Sequence, residues 1–211
     1  ITLKDPITTT SFIDRFLVAA QAYSIKSILI FNKFDTYKKT EIKNLNETIN
    51  IYKKIGYQCL TLSTKDLLNI KNLKQLIERK TIMLGGHSGV GKTSIVNMLK
   101  PSLNLKVSGI SQHSQGKHTT TYAELFELDS ETELIDTPGI KGFGLINYDN
   151  HELGDYFPEF LSNKGGCKFS NCIHLNEPKC KIKYLVDKGD ISQSRYKSYL
   201  QMLDSNDLKH R

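Results

Sequence analysis

The feature that most constrains this chain is a glycine-rich segment between a short apolar run and a stretch with helical spacing. It reads Gly86-His87-Ser88-Gly89-Val90-Gly91-Lys92-Thr93 and continues into Ser94. The pattern G-x-x-x-x-G-K-T in a strand-loop-helix context predicts a phosphate-binding loop, whose inward-pointing N–H groups and helix N-terminus attract anions. Lys92 would contact the β- and γ-phosphates of a nucleotide, and Thr93 would place its hydroxyl on Mg²⁺. His87 contacts the nucleotide or is an ordinary surface histidine.

The surrounding sequence predicts an α/β fold. Apolar runs rich in β-branched residues alternate with stretches of helical spacing, which is typical of β-α-β units and a mostly parallel sheet with helices on both faces. The predicted strands are 27–31, 57–62 and 81–84, and the predicted helices are 9–24, 40–55 and 70–79. Further on, the sequence predicts a hairpin pair of strands at residues 122–128 and 132–135. It also predicts short helices at residues 181–188 and 191–204.

A second motif indicates which base the nucleotide carries. Asn32-Lys33-Phe34-Asp35 directly follows the first predicted strand, at the strand end where open α/β sheets bind ligands. The carboxylate of Asp35 can accept hydrogen bonds from N1–H and the 2-amino group of guanine, whereas adenine offers neither donor. Together with the phosphate loop, this predicts GTP. Ser63 and Thr64, after the next strand, either complete the base pocket or cap the following helix.

A third motif, Asp136-Thr137-Pro138-Gly139, stands at the end of the last predicted strand. In this D-x-x-G pattern Asp136 would reach Mg²⁺ through water, and the N–H of Gly139 would meet the γ-phosphate. The alternative is an ordinary Asp/Pro/Gly turn. Between the two phosphate motifs lies Gly116-Lys117-His118-Thr119-Thr120-Thr121. One of its threonines, such as Thr120, would bind Mg²⁺, or the stretch is a polar loop without a ligand role.

Three of the four cysteines lie within fourteen residues and enclose a histidine. The pattern Cys167-x4-Cys172-x-His174-x5-Cys180 offers three thiolates and one imidazole, which suits a tetrahedral structural zinc site. The alternative is local cysteine enrichment without a metal. An odd cluster does not pair into disulfides, so a reducing, cytoplasmic compartment is expected.

The order of the nucleotide motifs is unusual. The guanine motif precedes the phosphate loop, which precedes D-x-x-G, whereas ordinary GTPases begin with the phosphate loop. The chain therefore reads as a circularly permuted GTPase domain over residues 1–157, followed by a small helical zinc-binding domain over 158–211. Permutation can preserve a fold when the original termini lie close together.

In these features the chain resembles the circularly permuted, small ribosomal subunit-dependent GTPases of the RsgA family. The resemblance rests on F-I-D-R-F-L-V-A-A at 12–20, N-K-F-D at 32–35, G-H-S-G-V-G-K-T-S at 86–94, G-K-H-T-T-T at 116–121, D-T-P-G-I at 136–140 and the Cys/His quartet. It implies a slow GTPase that the small subunit stimulates late in that subunit's maturation, with Mg²⁺ beside GTP or GDP and one structural zinc ion. Ile140 replaces the usual water-orienting glutamine, and by similarity His118 takes that role.

Charge and length add further expectations. The net charge is +7, and residues 161–211 hold ten Lys and Arg against five Asp and Glu, which suits contact with ribosomal RNA or is merely a solvated surface. No apolar run reaches the roughly 18 residues of a membrane span, so no membrane partner is expected, and the chain is expected to be a monomer. The family's usual N-terminal barrel would have to precede Ile1, which indicates a fragment.

Two other functions fit the same sequence. One is an RNA-binding zinc module that senses GTP with negligible hydrolysis. The other is a permuted GTPase acting on the large ribosomal subunit, against which the zinc quartet argues.

Overall fold

The computed structural model of the chain describes residues 1–106, 124–136 and 149–207. Among the predicted site residues, His118, Thr120 and Gly139 lie outside these ranges, and of Asp136 only the backbone is described. In the described part of the chain, no helix combines the length and apolarity needed to cross a membrane.

The secondary structure follows the predicted alternation of strands and helices. The strands are β1 (Ile28–Phe31), β2 (Gln58–Thr61), β3 (Thr81–Met83), β4 (Glu124–Glu127) and β5 (Glu133–Asp136). The longer helices are α1 (Thr10–Ala22), α2 (Lys39–Lys54), α3 (Ile70–Ile77), α4 (Lys92–Leu99), α7 (Lys181–Asp187) and α8 (Gln193–Asp207), and the single turns α5 (Asn150–Leu153) and α6 (Pro158–Leu161) lie between them. The predicted elements are confirmed, with ends that differ by up to three residues.

Capping explains where helix α1 begins. The Thr9 side chain accepts a hydrogen bond from the Phe12 N–H at 3.2 Å, so Thr9, rather than the neighbouring Thr10 or Ser11, caps the helix. From there Ile13 and Leu17 recur at helical spacing and are buried.

The described strands form two hydrogen-bonded groups. Strands β1 and β2 are neighbours in one of them, and the other has the order β3-β5-β4. Strand β3 pairs with β5 in parallel, with Met83 opposite Ile135. Strand β4 pairs with β5 antiparallel, which confirms the predicted hairpin pair. Since parallel strands end at the same edge, the backbone of Asp136 lies beside the start of the loop that follows β3.

The chain divides into two compact units. The first contains Ile1–Thr8, Leu29–Asn46 and Cys59–Gly142, and the second contains Thr9–Ile28, Glu47–Gln58 and Phe143–Arg211. In the first unit Leu62, Leu73, Ile77 and Ile95 form a buried core cluster. In the second, the core consists of Val18, Leu153, Phe157, Phe160, Cys180, Ile182, Val186, Ile191, Tyr199, Met202 and Leu203. The domain boundary placed after residue 157 stays a prediction.

A buried ionic group lies inside the second unit. Arg195 of α8 donates to Asp14 of α1 at 2.7 Å and to both carboxylate oxygens of Glu159 at 2.7 and 3.1 Å. Asp14 also accepts from the Tyr52 hydroxyl at 2.9 Å. Burial raises the pKa of Asp14, while the charge of Arg195 opposes that rise. A buried charge is tolerated only with partners. This group, which we call the Arg195 clamp, therefore connects α1, α6 and α8.

Candidate functional site

The glycine-rich segment predicted to bind phosphate lies between β3 and α4. Helix α4 begins at Lys92, immediately after Gly91, so Lys92, Thr93 and Ser94 form its first turn. The Lys92 ammonium folds back over the loop and donates to the carbonyls of Gly86 at 2.7 Å and His87 at 2.9 Å. Loop, lysine and helix N-terminus therefore come together as an anion-binding arrangement.

The guanine motif meets this loop through Asn32. Asn32 is 1% exposed, and its Nδ2 donates to the Val90 carbonyl at 2.9 Å across a separation of 58 residues. Gly91 has φ +96°, and a Cβ built on it would lie 2.4 Å from the same Nδ2. Only glycine offers both this backbone conformation and this space. The two motifs are thus in direct contact through the Asn32 side chain.

Asp35 is oriented by a buried serine. The Ser63 hydroxyl, which is fully buried, donates to Asp35 Oδ1 at 2.8 Å. The Ser63 oxygen accepts from the Asp66 N–H at 3.1 Å, which directs its single proton to the carboxylate. Helix α3 begins only at Ile70, so the alternative that Ser63 and its neighbour cap that helix is wrong. Thr64, the next residue, is half-buried.

Residues 1–8 contribute to the site in a way the sequence did not indicate. Lys33, with φ +60°, donates from Nζ to the Asp5 carbonyl at 2.6 Å. A Cβ built on Gly89 would lie 3.6 Å from Cδ of Pro6, so the same segment packs beside the phosphate loop. A main-chain acceptor leaves no signature in the sequence, so this contact cannot be predicted from the residue types.

The predicted magnesium ligands are described only in part. Thr93 lies in the first turn of α4, and Asp136 ends β5 at the sheet edge from which the phosphate loop departs. His87 is half-buried, and burial together with the Lys92 charge lowers its pKa. A lowered pKa favours the neutral form of this imidazole.

The second unit contains the predicted metal centre. The ligand atoms of Cys167, Cys172, His174 and Cys180 all lie within 4.8 Å of one another. His174 Nδ1 is 3.6 Å from Cys167 Sγ and 3.4 Å from Cys180 Sγ. A tetrahedral ion with Zn–S near 2.3 Å and Zn–N near 2.0 Å requires an S–N separation of about 3.5 Å. The donor set and its spacing fit zinc.

The thiolate forms of these groups require a cation nearby. Burial raises the pKa of the Cys172 thiol to about 12, and neighbouring thiols add to that rise. Three thiolates this close together would repel one another without a cation, whereas a bound zinc ion deprotonates its thiol ligands. Burial lowers the pKa of His174, which keeps the imidazole in its neutral, metal-binding form.

Side chains around the cluster shape its loop. His174 has φ +59°, and its carbonyl accepts from the Tyr196 hydroxyl at 2.7 Å. Tyr199 donates to the Ile173 carbonyl at 2.6 Å. Glu177 accepts from the Ile173 N–H at 2.7 Å. Spacing alone could not identify these supports, because two of them come from α8, 22 and 26 residues away along the chain.

Comparison with known proteins agrees with this geometry. The family described as "RsgA GTPase" matches residues 1–146. The chain belongs to the RsgA GTPase family. The resemblance drawn from the motifs is therefore confirmed.

Curated RsgA relatives cover the whole chain. It is 50% identical over 212 residues to the small ribosomal subunit biogenesis GTPase RsgA of Christiangramia forsetii, covering 100% of the chain and 67% of that relative. It is 49% identical to the protein of the same name from Flavobacterium psychrophilum, covering 100% of the chain and 65% of that relative. The chain thus spans about two thirds of the length of these RsgA proteins.

Solved structures confirm the fold class. The crystal structure of YjeQ from Thermotoga maritima matches 98% of this chain and 69% of its own with a TM-score of 0.85 and 33% identity. YloQ, described as a circularly permuted GTPase, matches 99% of this chain and 67% of its own with a TM-score of 0.80 and 28% identity. The RsgA family chain therefore has the circularly permuted GTPase fold that the motif order predicted.

Proposed function

We propose that this RsgA family chain binds GTP with Mg²⁺ and hydrolyses it to GDP and phosphate when the small ribosomal subunit is bound. The biological use would be a late step in maturation of that subunit, as the names of its relatives suggest.

One observation carries the nucleotide assignment. The Asn32 amide bonds to the Val90 carbonyl and lies against Gly91, which supports a single ligand contacted by both the guanine motif and the phosphate loop. Asp35, oriented by Ser63, would accept the two guanine donors. An unpaired carboxylate beside adenine would be unfavourable, so the same pocket would reject ATP.

The proposed catalytic roles follow the chemistry of phosphoryl transfer, in which positioning and charge stabilisation dominate. Lys92 and the loop N–H groups would stabilise charge on the β- and γ-phosphates. Thr93 and a threonine such as Thr120 would hold Mg²⁺ directly, and Asp136 would hold it through water. When bound, Mg²⁺ neutralises charge on the phosphate oxygens. His118 would orient the attacking water, and the Gly139 N–H would sense the γ-phosphate.

The cysteine cluster has a structural role in this proposal. Cys167, Cys172, His174 and Cys180 would hold one zinc ion that orders the segment around them. Three thiol ligands require a reducing compartment, which supports a cytoplasmic location. The basic segment 161–211 would contact ribosomal RNA, and the chain would act as a monomer.

Phosphate release from GTP, measured with no ribosomal subunits, with small subunits and with large subunits, tests the proposal. We expect slow basal turnover that small subunits stimulate, and that is lost in Lys92→Ala. No stimulated hydrolysis would favour the GTP-sensing RNA-binding module. Stronger stimulation by large subunits would favour a GTPase of that subunit.

A further inference from the structure

An exposed tyrosine flanked by two lysines lies on helix α7. Tyr184 is 48% exposed. The Nζ of Lys181 lies 5.0 Å and the Nζ of Lys188 lies 4.9 Å from the centre of its ring. These three residues, three and four positions apart along the chain, form what we call the Tyr184 platform.

The platform is held in place by the buried side of its helix. Ile182 and Val186 are 0% and 4% exposed in the core of the second unit. The Lys181 N–H donates to Cys167 Sγ at 3.4 Å. A Cβ built on Gly166 would lie 3.0 Å from Cγ of Lys181, so the lysine stem packs closely on that glycine. The helix that carries the ring is therefore fixed before a ligand binds.

Other exposed aromatic rings in the described ranges differ from it. Phe169 is 38% exposed and has one lysine, Lys168, at 5.2 Å. Tyr23 is more exposed, at 64%, and no cation–π pair involving it occurs in the described residues. Two ammonium groups at one exposed ring therefore distinguish Tyr184.

This combination matches the chemistry of single-stranded RNA. A base offers a flat π-face that stacks on an aromatic ring, and its phosphates require cations nearby. Asp187 on the same helix offsets part of the charge, but residues 161–211 still hold ten Lys and Arg against five Asp and Glu. An acidic peptide would pair with the lysines but offers no flat group to stack on the ring.

We propose that the Tyr184 platform stacks an unpaired RNA base on the tyrosine ring, and that the ammonium groups of Lys181 and Lys188 turn from the ring to the adjacent phosphates. This rests on the proposed function in one respect, since ribosomal RNA would be the natural source of the base.

Fluorescence gives a direct test because the chain contains no tryptophan. Tyr184→Trp places a single indole on the platform, and Tyr23→Trp places one at an exposed tyrosine elsewhere in the same unit. We expect a short single-stranded RNA to quench the Tyr184→Trp emission, with little change for Tyr23→Trp. Polyphosphate, which has no bases, should leave both emissions nearly unchanged.

Affinity measurements separate the ring from the lysines. Tyr184→Ala should weaken binding of the same RNA about 5-fold to 150-fold, the range for one stacked base, and Tyr184→Phe should retain it. Lys181→Gln with Lys188→Gln should lower the slope of log affinity against log salt by about 1.4. Lys53→Gln with Lys54→Gln removes the same charge from α2 and should change the slope less. Unchanged zinc content and unfolding temperature would show that each variant is folded.

Each outcome decides the proposal. Equal quenching at the two tryptophan positions, or undiminished RNA binding by folded Tyr184→Ala, overturns the stacking platform while subunit-stimulated GTP hydrolysis can still hold. If small subunits do not stimulate GTP hydrolysis by the unaltered chain, the proposed function is contradicted, even if the platform binds RNA.

Discussion

Replacing Gly91 by alanine tests whether the guanine motif and the phosphate loop are one structural unit. Gly91 has φ +96°, and its Cβ would lie 2.4 Å from Nδ2 of Asn32. That amide is buried and donates to the Val90 carbonyl at 2.9 Å. The substitution therefore acts on the backbone and on the Asn32 contact at the same time.

Each of the two effects contributes its own cost to the free energy of unfolding. A non-glycine residue in the left-handed region costs about 1 to 2 kcal/mol. Displacing the Asn32 amide leaves a buried hydrogen bond broken, which costs about 1 to 3 kcal/mol more. Their sum, the expected loss of unfolding free energy, is about 2 to 5 kcal/mol. Displacement of the Asn32 amide should also weaken nucleotide binding, because Asn32 belongs to the guanine motif.

Gly56→Ala is the matched control. Gly56 has φ +95°, and nothing lies within 4 Å of its Cβ position. It should show only the backbone cost in urea unfolding and unchanged GDP affinity. Gly91→Ala should lower the GDP affinity at least tenfold. In an Asn32→Ala background, Gly91→Ala should cost only the backbone part of the unfolding free energy, because the part that comes from the Asn32 contact is already lost. A double-mutant cycle measures this difference.

Equal destabilisation by the two glycine variants, with GDP affinity unchanged in both, would refute the reasoning. So would an additional cost of Gly91→Ala that persists without the Asn32 side chain.

Three further predictions concern the base, the clamp and the metal. Asp35→Asn should change the preferred nucleotide from GTP to XTP in competition binding, because an amide donates to the 2-carbonyl of xanthine and accepts from its N1–H. An unchanged preference for GTP would contradict the role of Asp35. Arg195→Met should destabilise the chain by about 3 to 5 kcal/mol in urea unfolding by leaving buried carboxylates unpaired, whereas Arg79→Met, which removes an exposed pair, should cost less than about 1 kcal/mol. Cys172→Ser should lose bound zinc by metal analysis and unfold at a lower temperature, and Cys59→Ser should keep its zinc; full zinc in the former would exclude it as a ligand.

Local sequence patterns were enough to predict the helices and strands, and the order of the motifs was enough to predict the circularly permuted fold. The loop around Gly91 is defined by a sequence pattern that includes its flanking strand and helix. The cysteine cluster was equally readable, because its four ligands are near one another along the chain. Both are short-range features, and the structure brings the predicted ligands together.

Contacts between distant segments could not be predicted in this way. Arg195 read as one more basic residue, yet it is 1% exposed and bonds to Asp14 across 181 positions. The Lys33 bond to the Asp5 carbonyl involves main chain, which every residue has. Such partners are decided by tertiary packing, and their side chains alone do not indicate them.

Equilibrium titration of the unaltered chain with GDP and with ADP, in the presence of Mg²⁺, tests most directly whether the described motifs form a guanine-nucleotide site. We expect one GDP bound per chain and an affinity for ADP roughly 100-fold weaker or more, because adenine would leave the Asp35 carboxylate without its two donors. Comparable affinities for the two nucleotides, or no binding of GDP, would contradict the site built around Asn32, Asp35 and Lys92.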